Sequence, residues 1–182
     1  MPNLTENTQL GGQTLGRVVF PTDVVQARVR ELAADISRAY TAADRLLVVG
    51  TLKGSFIFLA DLVRCIDLPL HLDFLMASSY GTGKTSTGEV RLLYDPSAEM
   101  KGRAVLLVED IVDSGSTLNR LLPRLEGRGP ASLDVCTLLH KRLLPLGKEP
   151  RWVGFEAPNE FLVGYGLDHA EDFRHLPYIA SL

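Results

Sequence analysis

Three acidic residues stand next to a run of small residues in the stretch VLLVEDIVDSGSTL, residues 105–118. Glu109 and Asp110 directly follow an apolar run, and Asp113 leads into Ser-Gly-Ser-Thr at 114–117. Small residues let backbone N–H groups converge on a phosphate, and a helix that starts there adds its positive end. Carboxylates accept hydrogen bonds from sugar hydroxyls and also bind Mg²⁺. The stretch therefore predicts a site for a ligand with both a phosphate and a ribose, because its composition differs from that of an ordinary solvated turn.

The elements that must position this stretch are strands alternating with helices. Residues 23–40 carry apolar side chains at helical spacing from Val25 to Ile36, and we expect Thr22 or Asp23 to cap this helix. The other predicted elements are helices 55–66 and 116–125 and strands 45–49, 70–77, 89–94, 103–108, 131–139, 152–155 and 161–165.

Continuous apolar strands that alternate with helices predict an α/β fold with a mostly parallel sheet covered by helices. Ligands of such sheets bind at the carboxyl ends of the strands. We therefore expect the loops after Val49, Ala77, Val108 and Leu139 to meet at one edge of the sheet.

Composition narrows the class of protein. A chain of 182 residues suggests one domain, and a net charge of −3 argues against a general nucleic-acid binder. Cys65 and Cys136 lie in apolar runs and are expected to be reduced, which fits the cytoplasm. No apolar stretch reaches membrane-spanning length and the start does not resemble a signal peptide. We expect residues 1–15 to be disordered and residues 16–182 to form the single domain.

The stretch 105–118 resembles the phosphoribosyl-diphosphate signature of the type I phosphoribosyltransferases, an apolar strand followed by two acids, two apolar residues and D-[ST]-G-x-T. The resemblance implies the fold of that family, a central mostly parallel sheet flanked by helices. It also implies a core at about 40–145 and a small hood built from about 16–22 and 150–182.

Further stretches resemble the members of this family that act on 6-oxopurines. Thr-Leu-Lys-Gly-Ser at 51–55 resembles their pyrophosphate loop, in which the Leu–Lys peptide bond is cis. Leu-Leu-His-Lys-Arg at 138–142 resembles the strand end that carries their purine-reading lysine, and 152–156 and 161–168 resemble their hood. Two departures are visible: His169 stands where tyrosine is common, and 143–151 lacks the usual basic or serine-rich character.

The resemblance implies a role for each matching residue, with Mg²⁺ as the cofactor. The implied catalytic base is Asp113, and the phosphoribosyl group with its 5′-phosphate would be bound by Glu109, Asp110, Asp113, Ser114, Gly115, Ser116 and Thr117. Pyrophosphate would be bound by Leu52, Lys53, Gly54 and Arg174, and the site would be closed by a loop with Ser78, Ser79, Tyr80 and Gly81. The purine would be bound by Lys141, Phe161, Leu162 and Asp168, and the metal by Glu109, Asp110 and Asp168.

The implied function is purine salvage, the transfer of a 5-phosphoribosyl group to N9 of hypoxanthine or guanine, which gives IMP or GMP and pyrophosphate. The partners would be a 6-oxopurine and phosphoribosyl diphosphate, without nucleic acid or membrane, in a homodimer or homotetramer. The main alternative is a regulator of the same fold that senses nucleotides and binds RNA. A signalling receiver, and a transferase for xanthine or a pyrimidine, are further alternatives. Gly-Lys-Thr at 83–85 lacks the first glycine of a nucleotide-binding P-loop, so we interpret it as part of a mobile loop.

Overall fold

A computed structural model describes residues 9–10, 13–79 and 90–182. Its helices are α1 (Thr22–Ala39), α2 (Phe56–Cys65) and α3 (Ser116–Glu126), with a short 3₁₀ helix at Ala42–Asp44. Its strands are β1 (Gln9–Leu10), β2 (Gln13–Thr14), β3 (Val18–Phe20), β4 (Leu47–Leu52), β5 (His71–Ser79), β6 (Val90–Tyr94), β7 (Ala104–Val112), β8 (Ser132–His140), β9 (Trp152–Glu156), β10 (Leu162–Val163) and β11 (Ile179–Ser181). The residues at 83–85 lie outside the described part of the chain.

A six-stranded sheet in the order β6-β5-β4-β7-β8-β9 forms the centre of the described structure. All neighbouring strands are parallel except β6, which runs antiparallel to β5. The prediction of a mostly parallel sheet is therefore confirmed. Because β4, β5, β7 and β8 point the same way, their carboxyl ends lie along one edge, where the polar residues of the predicted site follow.

Helices cover both faces of this sheet because the side chains of each strand alternate between them. On β7, Leu106 and Val108 belong to the apolar cluster that includes α1 and α2, whereas Val105 and Leu107 belong to the cluster that includes α3. None of these four side chains is exposed. The pattern explains why the strand is apolar at every position up to Glu109.

Three predicted boundaries were wrong. The start of α1 is capped by neither Thr22 nor Asp23, because Pro21 takes the N-cap position without a side-chain hydrogen bond. β4 does not end at Gly50, which pairs with Phe74 and Val108 inside the sheet. A side chain at Gly50 would lie 2.3 Å from Leu59, so this glycine provides room for α2.

The third boundary concerns β7, which continues past Val108 to Val112. Glu109 pairs with Thr137 and Ile111 with Leu139, because β8 is long enough to hold the extension in register. The two acids therefore belong to the strand end and not to the loop after it. Their backbone is fixed by the sheet, which holds their carboxylates at set positions.

A second sheet, in the order β10-β11-β3, joins the segment near the amino end to the carboxyl end. Leu15 is buried in a cluster with Val163, Phe173, Leu176 and Ala180, so ordered structure begins before residue 16. Residues 1–8 and 11–12 of the segment expected to be disordered lie outside the described residues. β9 pairs with β8 and so extends the central sheet to Glu156.

No helix among the described residues is long and apolar enough to span a membrane.

Candidate active site

Glu109 is a buried carboxylate at the carboxyl end of β7. Thr51, at the end of the neighbouring strand β4, donates a hydrogen bond of 2.5 Å from Oγ1 to Glu109 Oε2. The other oxygen, Oε1, is buried without a partner among the described residues. Burial, with a smaller contribution from Asp110, raises the pKa of Glu109 to about 8. An unpaired buried oxygen is costly, so this position is suited to a ligand that supplies a hydroxyl or a cation.

Asp110 lies against the loop that was predicted to bind pyrophosphate. The Leu52–Lys53 peptide bond in this loop is cis, as the resemblance implied. A Cβ atom on Gly54 would lie 1.6 Å from Asp110 Oδ2, so only glycine allows the carboxylate to come this close to the backbone. Burial raises the pKa of Asp110 to about 6, while Arg174 opposes the rise and Asp168 adds to it. The structure therefore brings the acid pair and the predicted pyrophosphate loop together.

The predicted phosphate loop forms a cavity of about 290 Å³ lined by residues 109–118. Gly115 has φ of 74° and directly precedes α3, so the amino end of that helix opens into the cavity. Ser114 Oγ lies 3.2 Å from Ser116 Oγ. Backbone amides, hydroxyls and a helix amino end together form a common type of anion site.

Leu146 packs directly against this loop. A Cβ atom on Gly115 would lie 1.9 Å from Leu146 Cδ2, so the leucine packs directly on the glycine backbone. Leu146 belongs to segment 143–151, which departs from the family pattern. The sequence alone did not predict this contact.

Lys141 and Asp113 form an ion pair at the mouth of the cavity. Lys141 Nζ lies 3.0 Å from Asp113 Oδ2, and the Lys141 side chain is only 10% exposed. Asp113 directly follows β7 and Lys141 directly follows β8, which are neighbouring parallel strands. The structure therefore places the predicted base beside the predicted purine-binding lysine.

Phe161 and Leu162 contribute the remaining predicted purine contacts. Phe161 is 53% exposed, so its side chain is accessible to a ligand. His169 meets the Phe161 ring edge-on at a centroid distance of 5.4 Å. Leu162 is buried in β10, where its backbone pairs with Ser181. The contact with His169 was not predicted, although its position was noted as a departure from the family.

Asp168 and Arg174 lie on the turn between β10 and β11. Arg174 Nη2 lies 2.8 Å from Asp168 Oδ1, and Nη1 donates to the carbonyl of Gly166 at 2.8 Å. Glu171 is a further member of this group that the sequence did not reveal. It pairs with Arg174 and also with Lys53, which is far away in sequence.

Two predicted groups are only partly represented. Of the closing loop, Ser78 and Ser79 end β5, whereas Tyr80 and Gly81 lie outside the described residues. The three predicted metal ligands, Glu109, Asp110 and Asp168, do not by themselves form a cluster able to hold a metal ion. No three His, Cys, Asp or Glu residues in the described ranges form such a cluster.

Comparisons with known proteins place this geometry in a family. Residues 22–170 match the model of the phosphoribosyl transferase domain. A hypoxanthine phosphoribosyltransferase from Haemophilus influenzae is 47% identical over 91% of this chain and 94% of its own length. The corresponding protein of Escherichia coli is 42% identical over the same shares.

Solved structures agree with these sequence matches. A hypoxanthine phosphoribosyltransferase from Staphylococcus aureus superposes with a TM-score of 0.87 at 40% identity, covering 92% of this chain and 91% of its own. A hypoxanthine-guanine phosphoribosyltransferase from Bacillus anthracis gives a TM-score of 0.84 at 42% identity, covering 92% and 99%.

The chain belongs to the phosphoribosyltransferase family. The predictions of the family, of its fold and of an enzyme are confirmed. These relatives carry the names of enzymes, and the comparisons lend no support to the RNA-binding regulator.

Proposed function

We propose that this protein transfers the 5-phosphoribosyl group of phosphoribosyl diphosphate to N9 of hypoxanthine or guanine, which gives IMP or GMP and pyrophosphate. The relatives named above are hypoxanthine or hypoxanthine-guanine phosphoribosyltransferases over nearly the whole chain. The observation that carries the proposal is the ion pair of Lys141 and Asp113 at the mouth of the phosphate cavity. It provides a donor and an acceptor for a 6-oxopurine next to a site for a sugar phosphate.

The sugar phosphate would bind between β7 and α3. The amides and hydroxyls at 114–117 would hold the 5′-phosphate, and the amino end of α3 would add positive potential. The ribose hydroxyls would donate to Glu109 and Asp110, of which Glu109 Oε1 has no partner among the described residues. The two acids and the anion loop therefore contact different parts of one substrate.

The donor set fits Mg²⁺ only if the substrate contributes ligands. Asp168 is close enough to Asp110 to raise its pKa, and carboxylates are preferred ligands of Mg²⁺. The described residues alone supply no complete metal site. Mg²⁺ usually keeps several waters and takes further ligands from substrate phosphates. When bound, Mg²⁺ would add positive charge beside the leaving pyrophosphate.

The purine would stack on Phe161, whose ring is accessible, beside the Lys141–Asp113 pair. Lys141 would donate to the O6 carbonyl, and the backbone of Leu162 would contact the group at C2. Asp113 would accept the proton that the purine carries at N7. Its contact with Lys141 would also hold the Asp113 carboxylate at the mouth of the cavity, where the purine has to bind.

In the transfer step, the C1′–O bond to pyrophosphate breaks with its electron pair leaving on oxygen, and purine N9 bonds to C1′. Lys53, Arg174 and the backbone at 52–54 would hold the departing pyrophosphate. The acid pair would keep the ribose in place while positive charge develops at C1′. Placement of both reactants at one sheet edge would supply much of the rate gain.

The test is product formation by the purified protein with phosphoribosyl diphosphate and each of hypoxanthine, guanine, xanthine, adenine and uracil, with and without Mg²⁺. We expect IMP or GMP and equimolar pyrophosphate with the first two bases and Mg²⁺. Transfer to xanthine, adenine or uracil alone, or to none of the bases, would contradict the proposal.

A matched pair of variants tests the purine assignment. Lys141→Met should raise the KM for the purine at least tenfold, because a buried cation that donates to a ligand is worth more than about 1.4 kcal/mol. Lys148→Met makes the same change in a lysine that pairs with Glu126 on α3, and should leave the KM unchanged. Equal effects of the two substitutions would contradict the role of Lys141.

We also propose that the protein forms an oligomer and acts in the cytoplasm. We expect two or four copies to associate, and light scattering coupled to gel filtration measures this directly. Both cysteines are free, with Cys65 exposed and Cys136 buried, which is consistent with a reducing compartment such as the cytoplasm.

A further inference from the structure

Glu171 bridges the two cations that were predicted to bind pyrophosphate. Lys53 Nζ lies 3.1 Å from both carboxylate oxygens of Glu171, and Arg174 Nη2 lies 3.3 Å from Oε2. Lys53 comes from the loop after β4 and Arg174 from the turn before β11, so this side chain joins two separate segments.

The backbone holds Glu171 in this position. Ala170, Glu171 and Phe173 all have positive φ, at 52°, 71° and 75°. Non-glycine residues are uncommon in this region of backbone conformation, so the turn has a specific shape. The Glu171 amide donates to Asp168 Oδ2 at 2.9 Å, which fixes the turn. The turn therefore fixes the backbone from which the Glu171 side chain extends to the two cations.

Stability does not explain this arrangement. The side chains of Lys53 and Glu171 are 51% and 65% exposed, and exposed ion pairs contribute little to folding. A carboxylate that faces two cations does resemble one phosphoryl group, since both present a pair of anionic oxygens to their donors. Arg174 Nε is buried and has no hydrogen-bond partner among the described residues.

We propose that Glu171 is a resident anion that holds Lys53 and Arg174 together in the free enzyme and gives them up when pyrophosphate binds. The proposal rests on the function proposed above. It makes Glu171 a positioning residue that sets the affinity for pyrophosphate, because pyrophosphate has to displace the carboxylate before it contacts both cations.

Displacement has opposite effects on binding and release. It weakens the binding of phosphoribosyl diphosphate and pyrophosphate, because part of their attraction replaces an existing ion pair. It speeds product release, because Glu171 returns to the cations as pyrophosphate leaves. Release often limits turnover in enzymes whose sites close over the substrate. Glu171 therefore lowers the affinity for pyrophosphate and raises the rate of its release.

The experiment compares the wild-type protein with Glu171→Gln and with the control Glu31→Gln. Glutamine keeps the shape of the side chain and removes the charge. Glu31 pairs with an arginine three residues away and is 62% exposed, so the control removes the same charge from the same kind of pair on α1. The Kd of inorganic pyrophosphate is measured by calorimetry in the presence of MgCl₂, at low and at high salt.

Glu171→Gln should bind pyrophosphate about fivefold more tightly than wild type at low salt, the factor expected when the two ion pairs of the exposed Glu171 carboxylate no longer compete. High salt should reduce this gain, since it screens the competing charge. The KM for phosphoribosyl diphosphate should fall with the Kd, while the KM for the purine stays constant. Glu31→Gln should match wild type in all these measurements.

Unchanged or weaker pyrophosphate binding by Glu171→Gln, relative to Glu31→Gln, would overturn the inference. A purely structural role would give that result together with a lower unfolding temperature. Failure of the proposed function is a different observation, because the wild-type protein itself would then neither transfer the phosphoribosyl group nor bind pyrophosphate.

Discussion

Replacing Glu109 by glutamine is expected to stabilise the ligand-free protein at alkaline pH. Glu109 is 5% exposed, and burial together with Asp110 raises its pKa from 4.5 to about 8. Between these values the folded protein keeps a proton that the unfolded chain releases. Stability of the wild-type protein therefore falls as the pH rises through this window and falls no further above about pH 8. Glutamine carries no charge and still accepts the hydrogen bond from Thr51, so the variant loses this dependence.

The size of the effect follows from the width of the window. Each pH unit inside it costs at most about 1.4 kcal/mol, so a rise from about pH 6 to about pH 8 destabilises the wild type by on the order of 2 kcal/mol relative to the variant. For a chain of this length about 1 kcal/mol corresponds to about 2–4 °C in Tm. The Tm of the wild type should therefore fall by about 4–8 °C more than that of Glu109→Gln.

The assay is thermal unfolding followed by calorimetry across this pH range, with a chelator and without substrate. Glu31→Gln, which removes an exposed charge, should retain the wild-type dependence. Parallel Tm curves for the wild type and Glu109→Gln would refute the reasoning, because they would mean that ionisation of Glu109 carries no penalty in the folded protein.

Three further predictions concern catalysis. Asp113→Asn should lower the rate of the chemical step measured in single turnovers, with only a modest change in affinity for phosphoribosyl diphosphate; equal loss of both would exclude the role as base. Gly54→Ala would place a methyl group 1.6 Å from Asp110 Oδ2, so kcat/KM should fall more than about tenfold while Tm changes by only a few degrees; an active variant would show that the contact is dispensable. His169→Ala should raise the KM for the purine about 3–10-fold, because the edge-on contact that orients Phe161 is lost, and His169→Phe should restore it; the KM for phosphoribosyl diphosphate serves as the internal control.

Contiguous features of the site could be predicted from the sequence. The strand, the acids and the small residues of 105–118 are neighbours in the chain, so the order of the residues is enough to indicate their chemistry. Sheet direction predicted that the loops after β7 and β8 meet at one edge, where the structure places Lys141 beside Asp113. The role of Lys141 itself was implied only by the resemblance to the family.

Contacts between distant segments could not be predicted in this way. Thr51 donates to Glu109, Leu146 packs on Gly115, and Glu171 reaches Lys53, and each pair meets only because the chain folds back on itself. The end of β4 was misplaced for the same reason, since Gly50 marks close packing of α2 on the strand and not a turn. The sequence shows the same residue type for a glycine in a turn and for one that allows close packing. Only the residue that packs against the glycine in the folded protein distinguishes the two.

Two glycines, Gly166 and Gly54, allow the turn at Gly166 to pack closely against the loop beside the acid pair. A Cβ atom on Gly166 would lie 2.1 Å from the Gly54 carbonyl, just as one on Gly54 would meet Asp110. The three segments therefore stack with no spare clearance, and a shift of one is passed to the next. A chimera that joins the carboxyl-terminal segment of one relative to the sheet of another would have to match this spacing. If it did not, the affinity for the sugar would change even with every polar residue retained.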